Sequence, residues 1–596
     1  MSSPSPNNPF NMDPDQLTQA IGNIAGQSHT IMENFLKSSP PVDTANMDPM
    51  GVGKAFMELT AAMMANPQKL VDAQMAAWNA YTNLWFGTAA RMMGGGNTAE
   101  PPAPDTDRRF RHEAWSSNPF FDFIKQSYLV AGETIQNAVA STEGLDEKTA
   151  RKVHFYTKQF VDAMSPTNFA LTNPEVLEAT VASGGENLLR GLRNFTEDFD
   201  AKKGRLRTRM TDERAFELGK NVATTPGKVI FQNKLMQLIQ YLPATSQVKR
   251  RPLLVMAPWI NKFYILDLQP KNSFIKWLVG QGHTVFVVSW VNPDATHANI
   301  DFQDYIFQGP LAALDAIEQA TGEKKVNVIG YCIGGTLLAG TLAYMAVKDD
   351  KRIASATFLT ALLDFTEPGD LGVFVDEQQL RTLEATMNER GFHDGSEMST
   401  SFNLLRSNDL IWSFFVNHYL LGKDPVPFDL LYWNSDSTCM PAKMHSTYMR
   451  AMYLENRFCK PGGMTVGDVA INLRDIHTPA YFISTEEDHI APWESTFTGA
   501  KLLSGPVRFV LGKSGHIAGV VNPPAANKYG YYTGPDATGT AMDWIARATP
   551  HEGSWWSDWE TWVQRHSGGE AEARQPGDGK LKIIEDAPGS YVRKRI

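Results

Sequence analysis

The chain has 596 residues, too many for one ordinary hydrophobic core, so two or more folding units are expected. Hydrophobic residues at 42% and charged residues at 20% describe a globular chain, and a net charge of −10 argues against nucleic acid as a partner. Three cysteines are too few for a disulfide framework and point to a reducing, intracellular setting, while no apolar run reaches the roughly 18 residues that a spanning helix needs.

The start, Met1-Ser2-Ser3-Pro4-Ser5-Pro6, has no basic stretch followed by an apolar one, so no secretory signal is visible. Met57, Leu59, Met63, Met64, Leu70, Met75, Trp78, Tyr81, Trp85 and Met92 then recur at loosely helical spacing. Such a face suits either adaptable contact with a partner or amorphous surface, or a helical hairpin packed on its own domain. Gly94-Gly95-Gly96 and Pro101-Pro102-Ala103-Pro104 mark a linker, so residues 1–106 form a variable helical and flexible region. Residues 107–215 read as a helical domain. Asn173-Pro174-Glu175 is a helix start: asparagine caps, proline fits the first turn and glutamate complements the dipole.

From 216 to 596 strands and helices alternate. Pro252–Met256, Thr284–Val288, Val326–Gly330, Ala354–Leu359, Ala480–Ser484 and Val507–Leu511 are apolar runs of the kind found in a mostly parallel sheet covered on both faces. Helices are expected around Ser273–Val279 and Tyr305–Gln319, giving the order of an α/β-hydrolase. The alternation stops for about 366–470, far longer than a loop and rich in aromatics, which predicts an inserted cap. Arg406 in that insert suits the phosphates of a ligand or an ordinary surface position. Trp555, Trp556, Trp559 and Trp562 read as packing, and the polar tail beyond Ser567 as loose.

The centre of the pattern is Gly330-Tyr331-Cys332-Ile333-Gly334, between a β-branched run and a segment of helical character. The pentapeptide alone fits tight packing around a buried cysteine. Its strand-turn-helix setting makes it a nucleophile elbow that lifts the Cys332 sulfur above a helix amino end. An acid and a histidine should follow in chain order, each after a later strand. Asp488 follows Ile483-Ser484, and His516 follows Val510-Leu511. His516 would take a proton and Asp488 would orient its ring. Glu486 or Glu487 is a rival acid, and His489 a rival base or a wall of the site together with Trp259. The Ile333 amide is the first oxyanion donor. The second belongs to Ala257-Pro258-Trp259-Ile260-Asn261-Lys262, at Ile260 or Asn261, because Pro258 has no N–H. Cys439 and Cys459 lack an elbow context and have no histidines at ligand spacing, so neither a metal nor a bound cofactor is expected.

Cysteine in place of serine favours acyl transfer over hydrolysis. A thiolate attacking a thioester makes another thioester, which keeps the acyl group activated if water is excluded. The motifs Arg108-Arg109-Phe110 with Trp115 and Asn118-Pro119, Ala257–Leu268, the elbow, Asp488-His489-Ile490 with Pro492-Trp493, Gly515–Gly519 with Asn522-Pro523-Pro524, and Gly553-Ser554-Trp555-Trp556 together resemble the polyhydroxyalkanoate synthases of the class I, poly-3-hydroxybutyrate type. The resemblance runs from about Asp107 to Ile596. It implies an (R)-3-hydroxyacyl-CoA substrate, 3-hydroxybutyryl for this class, CoA as product, and a polyester carried on Cys332. It further implies that His516 activates Cys332 while Asp488 assists His516 or the incoming 3-hydroxyl. A homodimer on storage granules in the cytoplasm, with phasins as further partners, belongs to the same implication. The rival readings are a depolymerase or thioesterase of the same fold, and a granule coat protein, for which an intact cysteine, acid and histidine set would have no purpose.

Overall fold

The computed structural model describes residues 52–92, 107–200 and 205–595. Its contacts divide the chain into two compact units. One holds residues up to 212 together with 403–426, and the other holds 213–402 and 427–596.

The first unit is built from helices α1 (Val52–Ala65), α2 (Pro67–Met92), α3 (Pro119–Ala140), α4 (Glu147–Ala163), α5 (Pro174–Ala182) and α6 (Glu186–Asp198). Side-chain caps fix several starts. Asn118 accepts from the Phe120 amide ahead of α3, Asp146 from Lys148 and Thr149 ahead of α4, and Asn173 from Glu175 and Val176 ahead of α5. The methionine- and aromatic-rich hairpin divides its apolar residues. Ala55 and Leu59 are buried with Val139 and Val153, whereas Met57, Met64, Met75, Trp78 and Trp85 stay exposed. The side chains of Leu70 and Met92 lie outside the described residues.

The range expected for the cap, 366–470, is divided, because 403–426 packs with these helices instead. The reason is backbone contact: a Cβ on Gly191 of α6 would stand 1.7 Å from the Tyr419 carbonyl oxygen. Asn187 also donates to the Leu420 carbonyl at 2.8 Å, and Phe195 meets Tyr419 edge-on at 5.5 Å. Arg406 lies in this segment, half-exposed and 3.6 Å from Asp409.

The second unit is an α/β-hydrolase fold around an eleven-stranded sheet. In chain order its strands are β1 (Gly227–Gln232), β2 (Met236–Tyr241), β3 (Leu253–Met256), β4 (Val285–Trp290), β5 (Val326–Tyr331) and β6 (Ile353–Leu359). After the insertion come β7 (Ala480–Thr485), β8 (Val507–Gly512), β9 (Tyr531–Thr533), β10 (Thr549–His551) and β11 (Glu585–Asp586). The spatial order is β10-β9-β8-β7-β6-β5-β3-β4-β2-β1-β11, and the run from β8 to β4 is parallel. Successive side chains feed opposite faces, as the strand period of two requires. Leu254 and Met256 enter one core cluster, and Leu253 and Val255 the other. Both faces are covered, which is why these strands read as unbroken apolar runs.

Two local departures from expectation have physical causes. The helix expected across Tyr305–Gln319 is interrupted by a widened turn at Phe307–Leu311, where Pro310 has no N–H to donate. The tail beyond Ser567, expected to be loose, is instead docked. Residues 570–572 pair with 247–249, β11 edges the main sheet, and Val592 is buried. The four tryptophans pack as expected: Trp555, Trp556 and Trp559 gather around Phe274, and Trp562 meets Tyr481.

Candidate active site

Strand β5 ends at Tyr331, and α7 (Ile333–Val347) begins one residue later, so a single residue makes the turn. That residue, Cys332, takes φ 53° and ψ −125°, a conformation strained for any side chain bearing a Cβ. Its amide donates to the Leu359 carbonyl at 2.9 Å, which ties the turn to β6. The flanking glycines are required by close backbone approach. A Cβ at Gly330 would lie 2.6 Å from the Gly334 carbonyl oxygen, and one at Gly334 would lie 2.4 Å from that of Met256. The first turn of α7 therefore rests directly on the end of β3. The sulfur is half-buried at the amino end of α7, where free amides favour negative charge.

The loops after β7 and β8 hold each other. Glu486 donates to the Gly512 carbonyl at 2.9 Å and Glu487 to that of Ser514 at 3.0 Å. This register brings Asp488 against His516, whose Nδ1 lies 2.6 Å from Asp488 Oδ2. The other Asp488 oxygen accepts from the Ile490 and Ala491 amides, both at 2.9 Å, so the carboxylate is fixed before the ring meets it. The second face of the His516 ring stacks on Tyr331 at 5.7 Å, and the Tyr331 hydroxyl donates to the His516 carbonyl at 3.2 Å. Cys332 lies close enough to the ring for its charge to act on it. Burial works against the charged imidazole, but Asp488 and Cys332 outweigh it and push His516 up to about 10. Cys332, Asp488 and His516 are thus brought together.

The rivals stand elsewhere. Glu486 and Glu487 are exposed, and neither faces the ring. His489 is partly buried, and its carbonyl accepts from the Asp370 amide at 3.2 Å, joining the acid loop to the start of the insertion. Trp259 is buried, its ring stacked on Tyr305 at 4.5 Å and edge-on to Trp290 at 5.7 Å. In the same loop the Trp259 and Ile260 carbonyls are taken by Thr438. The amides of Ile260 and Asn261 donate no hydrogen bond to another described residue, and Ile333 opens α7 with its own amide unpaired in the helix. Cys439 is buried and Cys459 partly so, both without a disulfide.

Two residues of the site were missed from sequence. Tyr448 and Tyr453, from the insertion, are buried, meet edge-on at 5.4 Å and pack on Phe365 at 6.2 and 5.0 Å. Burial foremost, with the nearby Cys332 charge adding to it, raises both phenols above the usual tyrosine range. Nothing in a stretch so rich in aromatics marks these two out.

Among the described residues no helix is long and apolar enough to cross a membrane. Residues 106–278 match the family described as poly-beta-hydroxybutyrate polymerase (PhaC) N-terminus, and residues 258–523 match the alpha/beta hydrolase fold. A poly(3-hydroxyalkanoate) polymerase subunit PhaC of Rhizobium meliloti is 51% identical over 91% of this chain and 88% of its own length. A poly(3-hydroxyalkanoate) polymerase of Methylorubrum extorquens is 50% identical over 91% and 90%, and the PhaC subunit of Cupriavidus necator 42% identical over 90% and 91%. With such identity sustained along nearly its whole length, the chain belongs to the poly(3-hydroxyalkanoate) polymerase (PhaC) family, enzymes of the acyltransferase type.

Proposed function

We propose that the chain polymerises (R)-3-hydroxyacyl-CoA, 3-hydroxybutyryl-CoA first among them, into polyester with release of CoA. The observation that carries this reading is a cysteine on a strained elbow, near a buried histidine that is itself held by an aspartate. The Cys332 thiolate attacks the thioester carbonyl, a new C–S bond forms, and the negative charge moves to the carbonyl oxygen. The Ile333 amide and an amide of Ile260 or Asn261 receive that charge. The bond to the CoA sulfur then breaks, and the leaving thiolate takes the proton held on His516.

The second half-reaction needs an alcohol rather than water. The 3-hydroxyl of the next unit gives its proton to His516 and attacks the acyl-Cys332 carbonyl, making an ester and freeing the thiolate. Asp488, through its 2.6 Å contact with His516 Nδ1, stabilises the imidazolium that is present as the first half begins and forms again in the second. The buried surroundings of Tyr448 and Tyr453 support exclusion of water from the acyl-enzyme. Residence on granules in the cytoplasm as a homodimer of the class I type, with phasins as further contacts, extends the same reading. The exposed Met57, Met64, Met75 and Trp78 are suited to an amorphous polyester surface.

The test is CoA release from (R)-3-hydroxybutyryl-CoA with recovery of any polymer, comparing the native chain with Cys332→Ser and Cys332→Ala. Release with insoluble polyester, abolished in both variants, supports the proposal. Release as free 3-hydroxy acid would replace it with a thioesterase.

A further inference from the structure

The loop that would supply the second oxyanion donor is not held by its own turn. Thr438, far along in the insertion, donates its hydroxyl to the Trp259 carbonyl at 2.6 Å, lies equally against the Ile260 carbonyl, and gives its amide to Ile260 at 3.3 Å. In a trans peptide the N–H points opposite to the C=O. Anchoring these two carbonyls on Thr438 therefore turns the Ile260 and Asn261 amides to the other side of the loop, away from the insertion. The loop leaves β3 where Gly334 of α7 rests on it, so it starts beside the Ile333 amide.

The far end of the loop is fixed from the docked tail. The buried Lys262 ammonium pairs with Asp436 at 2.7 Å and donates to the Val592 and Lys594 carbonyls at 2.7 and 3.0 Å. Asp436 also accepts from the Tyr264 hydroxyl at 2.8 Å, and the Trp433 indole donates to the Lys262 carbonyl at 2.7 Å. Asn292 joins the two supports, donating to the Lys594 carbonyl at 3.1 Å and accepting from the Cys439 amide, next to Thr438, at 3.0 Å. A buried ammonium satisfied mainly by backbone carbonyls of a distant segment is costly unless the geometry it fixes is needed.

We propose that Thr438 and the Lys262–Asp436 pair with residues 592–594 are positioning elements that set the second half of the oxyanion hole, so that the insertion and the tail together hold the loop in its reactive form. The proposal rests on Cys332 as nucleophile but not on the identity of the acyl donor. The experiment compares two reactions of Cys332 in the full chain. Acylation by p-nitrophenyl butyrate passes through an oxyanion, whereas alkylation by iodoacetamide does not. One oxyanion donor is worth about 100- to 1,000-fold in rate. Thr438→Val keeps the side-chain shape but loses the O–H, and should slow acylation by about tenfold or more while alkylation stays within about twofold. Lys262→Met should do the same if it folds, and Thr438→Val carries the test if it does not. Equal acylation in native and Thr438→Val protein, or a matching fall in both reactions, would overturn the proposal. Failure of native protein to release CoA from the hydroxyacyl-CoA would count against the synthase reading alone, because the ratio of the two rates is read without that substrate.

Discussion

Cys332 is the one residue whose backbone cost can be separated from its chemistry. At φ 53° and ψ −125° it carries a Cβ where glycine alone is at ease, a strain of about 1–3 kcal/mol. Cys332→Ala keeps the Cβ and removes the sulfur, and Cys332→Gly removes both. At an ordinary position alanine is the more stable of the two by about 0.5–1 kcal/mol, because glycine loses more chain entropy on folding. Here the strain opposes that difference and exceeds it, so Cys332→Gly should be the more stable by about 1 kcal/mol. Urea unfolding followed by tryptophan emission reads the relevant unit, since Trp555, Trp556 and Trp559 are buried beneath its sheet. Both variants should lack CoA release, so any difference between them is purely structural. A Cys332→Gly protein less stable than Cys332→Ala, at equal denaturant slope, would refute the claim that the elbow is strained.

Gly334→Ala would set a Cβ at 2.4 Å from the Met256 carbonyl oxygen, a backbone atom that cannot swing aside, costing about 1–3 kcal/mol in urea unfolding and most of the CoA release. His516 is raised from 6.5 to about 10 in the folded chain, so its contribution to stability is fully present below about pH 6.5 and is lost as pH rises toward 10. The stability of native protein relative to His516→Gln should therefore shrink across that interval, and a gap that widens would contradict the pairing with Asp488 and Cys332. Asp488→Asn, with its loop still tied through Glu486 and Glu487, should fold but with a lowered thermal midpoint at neutral pH, because the His516 charge loses the partner that holds it. It should also lower kcat by up to about 10,000-fold, because the ring loses the partner that fixes its tautomer.

Much of this site was legible because each part has a local sequence cause. A β-branched run into Gly-x-Cys-x-Gly can hardly be built except as a sharp strand-to-helix turn, and the structure places Cys332 at that turn. Asp488 and His516 are singled out by chain order and by their positions after strand ends, which short-range pattern reveals, and the structure sets them 2.6 Å apart. The loop amides at Ile260 and Asn261 could be narrowed only by noting that Pro258 has no N–H. What pattern could not reach was long-range. Thr438 and Lys262 act through partners more than 150 residues away, with nothing in their own neighbourhood to show it. The assignment of 403–426 to the helical unit turns on the missing side chain at Gly191, which reads in sequence as one more glycine in a helix. The docking of the polar tail is hidden for the same reason, since its ties to Lys262 are made by backbone carbonyls, which any sequence supplies.

The central claim is that the acyl chain rides on Cys332. The most direct measurement is rapid quench of the native protein with one equivalent of (R)-3-hydroxybutyryl-CoA, followed by mass spectrometry of the peptide containing Cys332. A hydroxybutyryl adduct on that sulfur, sensitive to neutral hydroxylamine and absent from Cys332→Ser, is the result this account predicts. CoA release at the same rate with an unmodified Cys332 peptide, or with the acyl group on another residue, would contradict it.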